Sequence, residues 1–312
     1  MRVLLAGATG ALGRALTPML LEAGHEVVGT TRTRASLNAL ERAGAEPLLL
    51  DGLDPDSVRT AVTTAAPDVV IHQLTALKKL ANLKKFDEEF AATNRLRTEG
   101  TDHLLQAALD VGAKRFIAQS FTGWNNPRAG SGLATEADGL DPDPKPEARK
   151  TLEAIGYLER VVTETAGLTG IALRYGGFYG PGTGLGRDGD MLDLVRGRKL
   201  PIVGAGQGVW SFVHIHDAAR ATVLAVDHGS AGVYNIVDDG PAPVAEWLPA
   251  LAKVIGAKGP RRVPAWLARP LIGRHGVMMM TEMRGSSNAK ARRELDWQPA
   301  YPTWREGFQN LG

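Results

Sequence analysis

There is no cysteine in this chain of 312 residues. That excludes disulfides, thiolate metal sites and a cysteine nucleophile, and it fits a reducing compartment. No apolar run approaches the roughly twenty residues that span a bilayer. The first strand-like run begins at the second residue, leaving no room for a secretory leader ahead of it. The expectation is therefore a cytoplasmic protein without a membrane partner. Neither sign of charge prevails: 36 Lys and Arg stand against 34 Asp and Glu, too even a balance to build a field for nucleic acid. Internal repeats and low-complexity stretches are also missing. A chain of this length buries a substantial core as one large domain or two, and a small-molecule ligand becomes the expected partner. A homodimer is compatible with all of this.

What is present begins with Arg2-Val3-Leu4-Leu5-Ala6, followed by Gly7-Ala8-Thr9-Gly10-Ala11-Leu12-Gly13 and an apolar-periodic run to Leu21. A buried strand feeds a glycine turn that feeds a helix, so backbone N–H groups and the positive helix end face a pyrophosphate. Gly7 permits the tight turn, Gly10 lets phosphates approach the backbone, and Gly13 lets the helix lie close on the sheet. Thr9, Ala11 and Leu12 complete this cofactor contact. The spacing is G-x-x-G-x-x-G rather than G-x-G-x-x-G, so the motif gains its weight from context.

The end of the second strand lacks an acidic residue. About twenty residues after the glycine turn, a cofactor with a free adenosine ribose favours a carboxylate. This chain has Thr30-Thr31-Arg32-Thr33-Arg34 instead. A guanidinium fork at Arg32 suits a 2′-phosphate, which an Asp would repel. The expected cofactor is NADP(H).

Strands and helices alternate through residue 175, the pattern of a doubly wound parallel α/β sheet of Rossmann type covered by helices on both faces. Helices are expected over Asp56 to Ala65 and from about Phe86 to Val111. Strands are expected over Glu46 to Leu50, Lys114 to Gln119 and Ile171 to Arg174. Ligands bind at the carboxyl ends of such strands. The loops there carry Asp51-Gly52, Leu74-Thr75-Ala76 and Gln119-Ser120, and further along Tyr175, Gly176 and Phe178. From residue 176 the alternation gives way to Gly- and Pro-rich loops. Residues 1–175 are read as the dinucleotide-binding domain, with 208–237, including a strand over Val233 to Val237, returning to it. Residues 176–312 are read as a smaller substrate-binding region.

The chain resembles the extended or atypical short-chain dehydrogenases/reductases, the NAD-dependent epimerase/dehydratase family. The resemblance is carried by the glycine turn, by Leu173-Arg174-Tyr175-Gly176-Gly177-Phe178-Tyr179-Gly180-Pro181-Gly182, by Phe212-Val213-His214-Ile215-His216-Asp217, by Val233-Tyr234-Asn235-Ile236, and by the tail from Asn288 to Pro299. It implies the fold and a nicotinamide cofactor. It also implies a Tyr-x-x-x-Lys pair on the helix after the fifth strand, where the lysine lowers the tyrosine pKa and binds the nicotinamide ribose. That pair is missing. With Glu159 as anchor, Thr151 stands in the tyrosine's place and Ile155 in the lysine's. Tyr157 lies about 200° round the helix from Ile155.

The assisting hydroxyl of the family falls near Phe121, flanked by Ser120 and Thr122. Tyr175 replaces a proline that the family commonly has near the nicotinamide. Ser120, Thr122 and Tyr175 are therefore the candidate catalytic groups. Sugar-nucleotide members carry an Asn where this chain has Gly177, and an Arg where it has Trp210. Losing a phosphate grip and gaining an indole argues for an apolar or aromatic substrate held by Phe121, Trp124, Tyr179 and Trp210. Those aromatics equally suit a hydrophobic core. His214-Ile215-His216-Asp217 has metal-ligand spacing but matches a structural strand-to-helix junction better, so no metal is expected. The Gly-, Pro- and Asp-dense segment between Phe121 and Glu147 reads as a lid. The expected activity is NADPH-dependent reduction of a small carbonyl compound with a non-standard proton donor. A non-catalytic NADP(H) sensor and an epimerase or dehydratase with tightly held cofactor are the alternatives.

Overall fold

Val3, Leu4, Leu5 and Ala6 are apolar on successive positions, so a strand built from them has no face for water. In the computed structural model, which describes residues 1–77 and 82–311, they form β1 (Arg2–Ala6) and are completely buried. The strands that follow are β2 (Glu26–Thr31), β3 (Glu46–Leu49), β4 (Val69–His72), β5 (Arg115–Phe121) and β6 (Thr169–Tyr175). Next come β7 (Gly177–Tyr179), β8 (Ile202–Val203), β9 (Val209–Trp210), β10 (Phe212–His214) and β11 (Gly232–Ile236), then β12 (Ala242–Pro243) and β13 (Arg262–Val263). Seven of them make one parallel sheet in the order β3-β2-β1-β4-β5-β6-β11. The short strands pair as β7 with β10, β9 with β12 and β8 with β13.

Side-chain alternation divides the core. Val3, Leu5, Val69, Ile71 and Leu173 meet helices Ala11–Glu22 and Ile215–Asp227 on one face. Leu4, Ala6, Val70, Phe116 and Ala118 meet helices Pro55–Ala65, Glu99–Asp110 and Arg149–Glu164 on the other. A third cluster, centred on Phe212, Trp247, Trp304 and Phe308, lies among the C-terminal elements. Strand order reverses at β1 and β4, and their carboxyl ends open the crevice in which a ligand binds. His72 pairs with Ala118, so Gln73 and Gln119 emerge side by side at that edge.

One expectation changes. The helix read over Phe86 to Val111 is three helices, Phe86–Glu89, Ala91–Arg97 and Glu99–Asp110. Thr98 leaves the helical region (φ −100, ψ −84) while its hydroxyl donates to the Asn94 carbonyl at 3.1 Å. The segment between Phe121 and Glu147, read as a lid, is tied down by ion pairs and carbonyl contacts. Arg128 binds Asp141, Asp143 and Glu282, and Arg284 binds Asp138 together with the carbonyls of Ala129, Ser131, Gly132 and Leu133.

Candidate functional site

The glycine turn after β1 has the geometry an anion cradle needs. Gly7 sits at φ +98, and a Cβ on it would lie 2.9 Å from the Gln73 carbonyl oxygen. A Cβ on Gly13 would reach within 2.3 Å of the Gly7 carbonyl oxygen, so only glycine lets the helix lie this close. Gly10 meets only the Gly7 oxygen, at 3.3 Å, and its N–H closes the turn onto that oxygen at 3.0 Å. Helix Ala11–Glu22 then starts without a side-chain cap or an acidic first turn. Its first N–H groups are left for a ligand.

Two cavities meet over this turn and share Gly7, Gly10, Gln73 and Thr75. The smaller, about 150 Å³, is lined further by Thr9, Thr30, Thr31, Arg32, Leu50 and Leu74. The larger, about 570 Å³, runs past Ala11, Leu12, Gly13 and Leu77 to Gln119 and Phe178 on one wall and to Gly182–Gly184 and Asp188–Asp190 on the other. Together they form a continuous groove along the carboxyl edge of the sheet. Arg32 is exposed at the smaller end and has no carboxylate partner among the described residues.

The three expected catalytic hydroxyls are all committed elsewhere. Ser120, 3 % exposed, donates to Glu159 Oε1 at 2.6 Å, and that carboxylate also accepts a two-bond fork from buried Arg174. Thr122 is buried and bonded to Asn126 Oδ1 at 3.0 Å and to Ser286 Oγ at 2.7 Å. Tyr175 points its phenol at helix Ile215–Asp227, 2.7 Å from Thr222 Oγ1, and accepts from Gln73 Nε2 at 3.3 Å. Burial pushes that phenol well above the usual tyrosine range. Its side chain is part of the core between sheet and helix and lines neither cavity, unlike the groove-facing position expected of a direct catalytic or cofactor contact.

Nothing restores the missing pair on helix Arg149–Glu164. Thr151 is bonded to Asp87 and Asn94, Ile155 is packed in the third core cluster, and Tyr157 donates to Asp102 on a neighbouring helix.

Other expected site residues also make local bonds and packing contacts. Asp51 accepts the N–H of Leu53 in its own turn, and the Gly52 carbonyl is bonded to His103. The Ala76 N–H goes to Thr93. Gly176 is glycine because a Cβ would lie 2.7 Å from the Ser211 carbonyl oxygen, a packing requirement. Trp124, Tyr179 and Trp210 are core residues. Trp124 packs on Phe86 and His275, Tyr179 on His214 and Phe308, and Trp210 on Trp247 with its indole N–H on the Met279 carbonyl. Phe121 is half-buried, stacked at 6.2 Å on Trp124. At the His-x-His-Asp block, His214 Nδ1 accepts the His216 N–H and Asp217 accepts those of Ala300 and Tyr301, which tie the C-terminal tail to the helix start.

The sequence reading missed Gln73, Leu77 and the loop carrying Thr183, Asp188 and Asp190. Gln73 directly follows a strand end already recognised, and five glycines at 180, 182, 184, 186 and 189 mark the loop.

The model of the NAD dependent epimerase/dehydratase family matches residues 3–237. A 3-diazoavenalumate denitrifying reductase from a Streptomyces species is 43% identical over 308 residues, covering 99% of each chain. A 2-alkyl-3-oxoalkanoate reductase from Stenotrophomonas maltophilia is 26% identical over 273 residues, 82% of this chain and 76% of that protein. Among solved structures, a UDP-glucose 4-epimerase from Thermotoga maritima superposes with a TM-score of 0.76 at 23% identity, covering 100% of this chain and 97% of that one. A human epimerase family protein solved with NADPH gives 0.72 at 20% identity, covering 100% and 99%. This protein is an oxidoreductase-type Rossmann chain that belongs to the NAD dependent epimerase/dehydratase family.

Proposed function

We propose that the protein is an NADPH-dependent reductase that transfers hydride to an electron-poor aromatic substrate, with an aromatic diazo compound the class best supported. The observation that carries this reading is that, among the described residues, every expected proton donor is committed elsewhere or replaced. Ser120, Thr122 and Tyr175 are bonded inside the protein, and Thr151 and Ile155 replace the family's proton-relay pair. Reducing a ketone produces an alkoxide that needs a proton in the transition state or soon after. Reducing an aryl diazonium does not: the arene gains one hydride, the C–N bond breaks, and dinitrogen leaves with the bond's electron balance closed. The relative at 43% identity bears a name that joins a diazo substrate to a denitrifying reduction.

The bound nicotinamide supplies the hydride. The chain contributes the glycine cradle for the pyrophosphate and Arg32 for a 2′-phosphate. It also contributes a groove wall of Gln119, Phe178 and the loop over 182–190, which would position the substrate. Residues 176–312, apart from 208–237, are assigned to that substrate-facing side. Gly177 and Trp210 stand where sugar-nucleotide members carry Asn and Arg, which disfavours epimerase chemistry.

The test is a panel of aryl diazonium salts, aryl ketones and enones, with NADPH consumption and gas release as readouts. Oxidation coupled to dinitrogen release with the diazo compounds alone is the expected result. Turnover of ketones with diazo compounds inert returns the reading to an atypical ketoreductase drawing its proton from water. NADPH binding with no turnover on any member establishes a sensor.

A further inference from the structure

Gln73 is 6 % exposed and lines both parts of the groove, yet its Oε1 is a buried acceptor with no partner among the described residues. Its orientation is dictated from below. The Thr222 hydroxyl donates to the Ala218 carbonyl at 2.8 Å, so its oxygen is left to accept from the Tyr175 phenol at 2.7 Å. The phenol oxygen then accepts from Gln73 Nε2 at 3.3 Å. Each hydroxyl has one proton to give, so the direction of the chain is fixed and the amide oxygen is the end left over. A buried acceptor without a donor is costly unless a ligand supplies one. Beside it at the sheet edge stands Gln119, whose side-chain amide also has no hydrogen-bond partner among the described residues.

We infer that Gln73 Oε1 accepts a hydrogen bond from a hydroxyl of the nicotinamide-side ribose, and that Tyr175 is a positioning residue that holds the amide in the accepting orientation. The assignment rests on the dinucleotide reading above. It accounts for a tyrosine buried in the core between sheet and helix. It also supplies a grip on the ribose in a chain whose residue 155 is isoleucine rather than lysine. A pyrophosphate held over the glycine turn that the two cavities share would offer only acceptors, so the donor would have to be a ribose hydroxyl, and the nicotinamide-side ribose is the one whose usual lysine grip is missing here.

The test compares wild type, Gln73→Met, Tyr175→Phe and the double variant by calorimetry. The ligands are NADPH and adenosine 2′,5′-bisphosphate, which lacks the nicotinamide half. Gln73→Met should weaken NADPH about three- to tenfold, as loss of one neutral hydrogen bond does. Tyr175→Phe should weaken it less, the double variant no more than Gln73→Met alone, and the bisphosphate should bind all four proteins alike. Unchanged NADPH affinity in Gln73→Met overturns the assignment, as does an equal loss for the bisphosphate. Additive effects overturn the positioning role, as does a Tyr175→Phe protein that is merely less stable. If wild type binds no NADPH, the dinucleotide reading falls as well, which separates the two failures.

Discussion

On the proposed assignment of Arg32 to a 2′-phosphate, wild type should favour NADPH, and replacing Arg32 by alanine should leave a protein that hardly distinguishes NADPH from NADH. The side chain stands exposed at the narrow end of the groove, beside Thr9, Thr30 and Thr31, and no carboxylate among the described residues claims its charge. A ligand phosphate therefore displaces no existing ion pair. At about 4 Å in water-like surroundings each unit of opposite charge contributes about 1 kcal/mol, so a dianion contributes about 2. Charge-assisted hydrogen bonds from a guanidinium fork raise the total to roughly 1.5–3 kcal/mol, or about ten- to a hundredfold in affinity. Because the site is open, salt must erode the effect as the screening length shortens. Calorimetric titration of wild type and Arg32→Ala with NADPH and NADH, at low and at roughly physiological ionic strength, measures all of this. Wild type should favour NADPH and lose part of that preference in salt, whereas the variant should bind NADH as wild type does. Equal loss of both cofactors would show that Arg32 merely packs against the adenosine. Tighter binding of NADH by wild type would remove the phosphate argument altogether.

Three further outcomes follow from the packing. Glu159→Gln leaves the Arg174 guanidinium, 3 % exposed, without its counter-charge and should cost about 3–5 kcal/mol in urea unfolding. A loss under about 1 kcal/mol would mean that solvent reaches the pair. Gly13→Ala forces a methyl to within 2.3 Å of the Gly7 carbonyl oxygen, so the glycine turn and the helix start must separate. It should lower stability by about 1–3 kcal/mol and weaken dinucleotide binding, seen by thermal melts with and without NADPH. Asp238 is buried, and burial pushes its carboxyl up to about 8. The folded state therefore holds a proton that the unfolded chain has released, so this residue's stability contribution falls as pH rises from about 4 to about 8 and then levels. Asp238→Asn should flatten that decline. Parallel pH slopes in wild type and variant would disprove the burial argument.

The features legible in the sequence were those fixed by neighbours along the chain. Val3 to Ala6 can only be a strand buried on both faces, and Gly7, Gly10 and Gly13 fall within two turns of each other. Arg32 sits at the end of its own strand, so its place at the groove depends on little else. The helix break at Thr98 was not legible, because a threonine hydroxyl turning back onto a carbonyl leaves no mark on hydrophobic periodicity. The aromatic residues expected around a substrate show the same limit. Trp124 and Trp210 look alike in a pocket or a core, and partners such as His275 and Trp247 lie far along the chain.

The chain order of residues by itself determined the Rossmann sheet, the glycine turn, the guanidinium where a carboxylate is usual, and the loss of the tyrosine–lysine pair. Only the tertiary structure decided which hydroxyls face the groove. Ser120 is claimed by Glu159, Thr122 by Ser286 and Tyr175 by Thr222, partners separated from them by 39, 164 and 47 positions. A buried hydroxyl must bond to whatever the fold brings alongside it, and that neighbour is set by how helices and strands pack rather than by local sequence.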